Sequence, residues 1–295
     1  MRFLLGVVAF ASLVYASAWN QAPAQTPVAS PAPAASAAPA ATPAASPSPP
    51  SDPCGSILSI VNRPTFGTGV CTVRTGEFDI ENGYTNTVTT GNGGGNFVVY
   101  PQSLIRFGTF DPHFDLEFGA PSEARTSVGA PVVSGATDLS LGAKYELGYT
   151  SNFLYGVNAV VTVPSGTHAF TAGNAQFTGN FNWAYTVNSV IGVAGTLGAN
   201  AFSGANSSGA PQSYFAFTPT LSVTAALPGP SELIAEYAFF SSAGPNLGGK
   251  SWFDFVYVRD FGGSVQFDVE YGFSPTLIGG QRQHYVGAGL SFLHQ

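Results

Sequence analysis

The chain has 295 residues, of which 9 are basic and 16 acidic, so charged residues make up only 8% of it. Soluble globular proteins carry about 25% charged residues, and this deficit argues against an ordinary cytoplasmic enzyme. The formal charge of −7 argues against nucleic acid as a partner, because phosphates require a basic surface. Beyond the N-terminus, no apolar run reaches the roughly 18 residues that a membrane-spanning helix needs.

The first 18 residues have the pattern of an export signal. Arg2 provides the positive start, Phe3 to Tyr15 form an uncharged apolar stretch, and Ala16 to Ala18 match the small-residue cleavage pattern. The stretch is too short to remain as a spanning anchor. We therefore expect residues 1–18 to be a signal peptide that is removed before Trp19.

The next segment, residues 19–53, consists mostly of Ala and Pro, and Asp52 is its only charged residue. Prolines lack a backbone N–H, and such a segment has almost nothing to bury, so a disordered linker is expected. It serves either as a spacer in the periplasm or as a leader without a specific role.

Residues 54–73 follow the linker and contain both cysteines of the chain, Cys54 and Cys71. Export places these cysteines in an oxidising compartment, where a disulfide is favoured. No histidine lies between them, so a two-cysteine metal site has no further ligands nearby. We expect a Cys54–Cys71 disulfide in a short N-terminal segment.

From residue 74 onward, apolar residues alternate with polar ones. The plainest case is Asp138 to Leu147, and Val265 to Phe273, Phe114 to Phe118 and Glu77 to Glu81 repeat it. A charge at every second position fits a strand with one face in water. The pattern predicts twelve strands, most of them with the roughly 9–11 residues that a tilted strand needs to cross a bilayer. They cover residues 74–85, 97–108, 112–120, 136–148, 153–164, 175–187, 189–200, 213–226, 231–241, 250–260, 264–273 and 284–293.

The links between these strands alternate in length. Short links follow the even-numbered strands, and longer links rich in Gly, Ser, Asn and Pro follow odd-numbered ones, such as residues 120–135 and 201–212. Outer-membrane barrels have an even number of strands, short periplasmic turns and longer outer loops. We therefore expect residues 74–295 to form an all-β, closed, antiparallel transmembrane barrel of about twelve strands in the outer membrane. A soluble secreted β-sandwich is the alternative.

Charged side chains fall on one face of the predicted strands. The inward parity carries twelve acidic and two basic side chains, which we expect to line the lumen: Glu77, Asp79, Glu81, Arg106, Asp115, Glu117, Asp138, Lys144, Glu146, Glu232, Glu236, Asp254, Asp268 and Glu270. The outward parity carries only Arg74 and Arg259, near strand ends where they can reach the headgroups. Ionised carboxylates with so few cations need water, so we expect a hydrated lumen that prefers cations.

Aromatic residues cluster near the predicted strand ends, as expected for side chains at the two membrane interfaces. One group lies near the outer ends: Tyr84, Phe118, Phe177, Tyr214, Phe239, Trp252 and Phe273. The other group lies near the periplasmic ends: Tyr149, Tyr155, Tyr185, Tyr257 and Phe292.

The strand sequences resemble a family of bacterial outer-membrane barrels named as transporters of the meta-pathway of phenol degradation. The resemblance lies in Thr137 to Leu147 (TDLSLGAKYEL), Gln266 to Phe273 (QFDVEYGF) and Tyr285 to Phe292 (YVGAGLSF), and it extends over about residues 74–293. It implies outer-membrane passage of small compounds, with hydrophobic or aromatic ones as the candidates, and it has no catalytic residues to carry over. The chain departs from the usual barrel ending, because three residues follow Phe292.

The residues that enzymes use are sparse. His168 and Ser165 are close in sequence on a predicted outer loop, and His284 lies on another, but a catalytic pair also needs an orienting group. The glycines of residues 91–95 lack the Lys and helix of a nucleotide loop. We expect no catalytic residues, no metal site and no cofactor. A hydrolase at the barrel rim is the least favoured function.

Two further functions remain open. The favoured one is a pore or transporter for passive movement of small solutes through a narrow acidic lumen. The other is a surface barrel without transport, which acts as an anchor or adhesin. In either case the expected partners are outer-membrane lipid and the barrel assembly machinery, with small-molecule solutes added for the pore.

Overall fold

Alternating polar and apolar side chains build one antiparallel sheet whose last strand pairs with its first. The structure is a computed structural model, and it describes residues 52–91, 94–128, 132–278 and 280–295. The predicted signal peptide and nearly all of the predicted linker lie outside the described residues. Among the described residues, no helix is long and apolar enough to cross a membrane.

The described residues form one short helix and fifteen strand segments. The helix, α1, is Ile57–Ile60, and the Oγ of Ser56 caps it by accepting the N–H of Leu58. The strands are β1 (Phe78–Thr90), β2 (Gly95–Tyr100), β3 (Leu104–Gly108), β4 (Phe114–Gly119), β5 (Glu123–Ser127), β6 (Val133–Ala136), β7 (Leu139–Tyr149), β8 (Phe153–Val163), β9 (Gln176–Thr186), β10 (Ile191–Ala205), β11 (Pro211–Leu227), β12 (Ser231–Phe240), β13 (Lys250–Phe261), β14 (Val265–Ile278) and β15 (Gln281–His294).

Fifteen segments make twelve barrel strands, because three pairs of segments run end to end. Segments β2 and β3 form one barrel strand, because both pair with β1. In the same way β4 and β5 form a second barrel strand, and β6 and β7 form a third. Two of the breaks contain Pro101 and Pro121, which have no N–H to donate to a ladder. The closed antiparallel barrel of twelve strands is confirmed.

Several strands run further than predicted at the end of the barrel away from the termini. Strand β1 ends at Thr90 and β10 at Ala205, which still pairs with Pro211 on β11. The expectation of long links at 120–135 and 201–212 is therefore wrong in extent, because pairing continues into both. These strand extensions are rich in Gly, Ser and Asn and show no alternation, because both of their faces meet water. Their backbone groups still form the hydrogen bonds of the sheet.

The inward and outward faces differ as the alternation predicts. On β14, Phe267 and Tyr271 are 37% and 47% exposed, whereas Gln266 and Asp268 between and beside them are at most 1% exposed. The same contrast runs around the barrel, so the outer surface is an apolar belt and the interior is polar. We call the end where β1 begins and β15 ends the terminal end, and the other end the loop end.

The N-terminal segment lies inside the barrel. Residues 52–73, which we call the plug, enter at the terminal end and turn back at residues 62–68, which we call the tip. The base of the plug is held by the Cys54–Cys71 disulfide, which confirms the predicted pairing. Its apolar side chains form a small core with inward residues of the wall: Cys54, Ile57, Ile60, Val61, Val70, Cys71, Val73, Leu154 and Leu293.

Candidate functional site

Most of the predicted lumen residues are buried in the interior of the barrel. Ten of the fourteen are at most 6% exposed: Asp79, Glu81, Arg106, Asp115, Glu117, Lys144, Glu146, Glu236, Asp254 and Asp268. The other four, Glu77, Asp138, Glu232 and Glu270, are half-buried. The side chains that the sequence assigns to an aqueous lumen are therefore mainly in contact with protein.

Arg106 is the centre of the largest charge cluster. The strand register places it opposite Asp79 on β1 and Glu117 on β4. Its guanidinium lies 2.6 Å from Asp115, 3.7 Å from Glu117 and 3.8 Å from both Asp79 and Glu81. Arg106 is fully buried, and a buried cation is tolerable only with such partners. The sheet thus gathers four carboxylates around one guanidinium.

The same guanidinium also holds the plug. Arg106 donates to the carbonyl oxygens of Ile60 and of Cys71, the latter at 2.8 Å. Lys144, on the neighbouring part of the wall, donates to Oδ1 of Asn62 at 2.6 Å. These two cations therefore act on both the wall carboxylates and the plug.

Backbone N–H groups of the plug occupy wall carboxylates in pairs. Glu81 accepts the N–H groups of Asn62 and Arg63, each at 2.9 Å. Across the lumen, Glu236 accepts those of Phe66 and Gly67, at 2.6 and 2.8 Å. Each carboxylate therefore binds two consecutive N–H groups of the tip, with the strength of a charge-assisted hydrogen bond.

The expectation that water must serve the inward carboxylates for lack of cations is wrong for five of the twelve, which receive a partner from the plug: Glu81, Asp115, Glu236, Asp268 and Glu270. Arg63 brings a third cation into the lumen, 3.5 Å from Asp268 and 3.6 Å from Glu270. Val73 adds another N–H, which Asp115 accepts at 2.9 Å.

Several residues of the predicted aromatic belts face inward instead. Trp252 is 8% exposed and packs against Phe66 of the tip and Tyr285 of β15, with ring centroids 5.9 and 5.4 Å away. Tyr149 packs against the core at the base of the plug. Tyr214 packs against the inward Phe202 at 5.9 Å. Whether an aromatic side chain near a strand end points into the lumen or outward depends on its odd or even position in the alternation. Its closeness to the strand end does not determine this.

Asp138 anchors a loop. Its two carboxylate oxygens accept the N–H groups of Gly166 and Ala172, both at 2.8 Å. These residues belong to the link 164–175 at the loop end, where the Oγ of Ser165 accepts the N–H of Leu139 at 3.0 Å. Asp138 and Ser165 therefore fix this link to the wall of the barrel.

The two predicted outward arginines differ from each other. Arg74 lies at the end of the plug and forms an ion pair with Asp52, so it does not reach from a strand to headgroups. Arg259 remains on β13, where it donates to Ser231 and lies over the ring of Phe261. The sequence placed residue 74 on a strand because the alternation continues past the true strand start at Phe78.

Three cavities surround the tip. The first, about 570 Å³, reaches towards the loop end, where Thr85 and Thr87 line it. The second, about 350 Å³, lies on the opposite wall, with Thr178 and Asn180 among its lining residues. The third, about 290 Å³, is at the terminal end and is lined by residues 150–154. Asn62 and Thr65 of the tip line all three, so the tip separates the space at the two ends.

Three residues of this site were missed from the sequence. Arg63 and Phe66 belong to the plug, where no strand pattern signals an inward position. The third, Lys250, lies two residues before the inward Trp252 on β13, so the alternation places it on the same inward face. Its Nζ lies 4.2 Å from the centre of the Trp252 ring. The excess of inward carboxylates over cations was the available signal that a further partner occupies the lumen.

Known structures share this architecture. An outer-membrane channel from Pseudomonas putida F1 superposes with a TM-score of 0.61 at 14% identity, over 76% of this chain and 98% of that one. The NanC porin aligns over 73% of this chain and 98% of its own, with 9% identity and a TM-score of 0.48. No protein-family model and no curated protein sequence matches the chain. The chain therefore has the fold of an outer-membrane channel barrel.

Proposed function

We propose that the chain is an outer-membrane channel for passive diffusion of small molecules, and that its plug limits the flow. The observation that carries this proposal is the presence of cavities on both sides of the tip, inside a polar lumen. A barrel of about eight strands is filled by its own side chains, whereas 16–18 strands leave an open channel. Twelve strands lie between, and here the plug takes up the additional width.

The outer surface supports a place in the membrane. Phe255, Phe267 and Leu221 are 51%, 37% and 49% exposed, and they belong to an apolar belt that is too extensive for a surface in water. We propose outer-membrane lipid as the partner of this belt and the barrel assembly machinery as the partner during insertion. Export by the predicted signal peptide is part of this proposal.

The class of compound is proposed from the sequence resemblance. The family named for the meta-pathway of phenol degradation implies small aromatic compounds. An aromatic corner formed by Phe66, Trp252 and Tyr285 lines the first cavity and supports this assignment, because flat rings pack on such side chains.

Planar-bilayer recording of the purified chain tests the channel. We expect discrete conductance steps from the wild type, and larger steps after Phe66→Ala, which removes the largest apolar side chain of the tip. Gel mobility before and after boiling reports whether each protein has formed the barrel. Folded protein without conductance, in the wild type and in the variant, would favour the anchor or adhesin and overturn the channel.

A further inference from the structure

One third of the barrel wall carries no formal charge. Residues 147–231 contain no Asp, Glu, Lys or Arg, and they form β8, β9, β10 and β11, four of the twelve barrel strands. All fourteen predicted lumen charges, as well as Lys250, therefore lie on the other eight strands or directly beside their ends, as Glu77 and Asp138 do. We call β8–β11 the neutral wall.

Many of the inward side chains of the neutral wall are amides and hydroxyls, and several of them are joined by hydrogen bonds. Asn182 donates to Asn158 and accepts from Oγ1 of Thr196, both at 3.0 Å. Closer to the loop end, Asn200 donates to Oγ1 of Thr218 at 2.7 Å. Such groups both donate and accept hydrogen bonds, and they do so without charge.

Two of the three cavities lie along this wall. The second cavity is lined by Thr178, Asn180 and Thr218, and Glu117 is the one charged side chain among its described lining residues. The third cavity, at the terminal end, continues along the same strands, where Ser222 and Thr224 line it. Two charged side chains also line it, Arg63 of the tip and Glu232 of β12, and neither belongs to the neutral wall.

The tip lies between these two cavities. Thr65 and Thr68 line both of them, and the N–H of Thr68 donates to Oγ1 of Thr196 on the neutral wall at 3.1 Å. A movement of residues 65–68 away from this wall would join the two cavities. It would also release the N–H groups of Phe66 and Gly67 from Glu236, which lies outside the neutral wall.

We propose that the second and third cavities are the two halves of one solute route along the neutral wall, and that its solutes are small uncharged molecules bearing hydroxyl or amide groups. This inference rests on the proposed channel function and not on the aromatic compound class proposed for the first cavity. An uncharged hydroxyl exchanges its water contacts for the amides and hydroxyls of the wall. An ion gives up hydration that this wall does not replace with opposite charge, and that loss is costly.

The route also differs from the one that the sequence favours. The inward carboxylates, on which a cation preference depends, lie outside the neutral wall, and most of them are buried. Phe66, Phe202 and Phe240 line the second cavity and offer apolar contact to the carbon faces of a solute. A molecule with hydroxyl groups and an apolar face, such as a sugar, matches this combination.

The test uses the full chain reconstituted in liposomes loaded with radiolabelled arabinose, lysine or glutamate, which have similar masses and different charges. Single cysteines are placed in the second cavity by Asn180→Cys, in the third by Thr224→Cys and in the first by Thr87→Cys. Efflux is measured before and after reaction with pyrenyl maleimide. Because efflux through the same protein is compared before and after labelling, differences in folding between variants do not affect the comparison. The two native cysteines do not react, since they form a disulfide.

We expect arabinose to leave several-fold faster than lysine or glutamate, and labelling at residues 180 and 224 to slow it several-fold. Unchanged arabinose efflux after either labelling, block by label at residue 87 alone, or equally fast ions would overturn the neutral route while the channel function stands. Release of none of the three solutes by the unlabelled chain would instead contradict the channel function.

Discussion

Gly83 and Gly289 lie directly opposite each other on β1 and β15, and the guanidinium of Arg63 fills the space that side chains at these positions would occupy. The two strands form the seam that closes the barrel. Because both glycines face inward and have no side chain, they leave a notch in the inner surface of the wall. The guanidinium of Arg63 lies in this notch, close to Asp268 and Glu270. The wall is thus shaped around the plug at the seam.

Gly83→Ala should displace Arg63 and loosen the tip without preventing barrel formation, because the new methyl group would overlap the flexible end of that side chain. Hydrogen–deuterium exchange of residues 60–68 should become faster. Gly179→Ala is the matched control, since its methyl group would meet only the carbonyl oxygen of Ala199, at 3.9 Å. Equal exchange in both variants would show that the notch does not hold the plug.

Arg106→Met should destabilise the barrel strongly, because it leaves the carboxylates around residue 106 without their shared cation. Removing one partner of a buried ion pair typically costs about 3–5 kcal/mol. Urea unfolding in detergent should show a lower midpoint, and adding Asp115→Asn should recover part of the loss. Arg125→Met, at an exposed ion pair with Glu123, is the control and should change little. Equal midpoints for the two single variants would contradict the role of the cluster.

The barrel could be predicted from the sequence because each spanning strand meets two different media. Residues such as Gln266 and Phe267 must differ when one faces the lumen and the other faces lipid, and this difference is visible as alternation. Beyond the membrane both faces meet water, so the extensions of β1 to Thr90 and of β10 to Ala205 leave no such pattern. Pairing there depends on backbone groups that any residue provides.

The plug could not be predicted for a related reason. Its hold on Glu81 and Glu236 comes from backbone N–H groups, which carry no residue-specific signal, and the partners are 18 to 170 residues apart in sequence. Inward carboxylates in excess of cations require partners, and the sequence is equally consistent with water or with protein in that role. The structure gives most of them protein partners.

Replacing both cysteines by Ser should release the plug and leave the barrel intact. The disulfide links residues separated by 17 positions, and closing a loop of that size stabilises by about 3 kcal/mol in the chain-entropy model. Limited proteolysis should cut residues 52–73 faster, with unchanged heat-dependent gel mobility. Reduction of the wild type should reproduce the effect, and should add nothing to the double variant. Loss of the folded gel band would instead make the disulfide necessary for the barrel itself.

Asp138→Asn should free the link 164–175, because an amide keeps one acceptor oxygen where the carboxylate uses two. We expect faster hydrogen exchange at Gly166 and Ala172 and no change in exchange of the tip. Asp260→Asn, whose carboxylate accepts the N–H of Gly263 in a turn at the terminal end, is the control. If the tip loosens as well, residue 138 acts on the plug and not only on the loop.

Glu236→Gln should weaken the hold of the wall on the tip and raise the conductance. The carboxylate accepts two consecutive N–H groups, from Phe66 and Gly67, one on each oxygen. A glutamine has the same size, but one of its two positions becomes an NH₂ group, which donates and cannot accept. One tip N–H then loses its acceptor and the other loses the charge of its acceptor, so open events should be longer or more frequent.

The matched control for this latch is Glu232→Gln, four residues earlier on the same strand and on the same face. Glu232 lines the third cavity, where the same substitution removes the same charge without touching the hydrogen bonds of the tip. Loss of lumen charge alone would change ion selectivity equally in both variants, as measured by the reversal potential across a salt gradient. Release of the tip would change open probability only in Glu236→Gln. Equal open probability in the two variants would therefore remove Glu236 as the latch, whatever happens to selectivity.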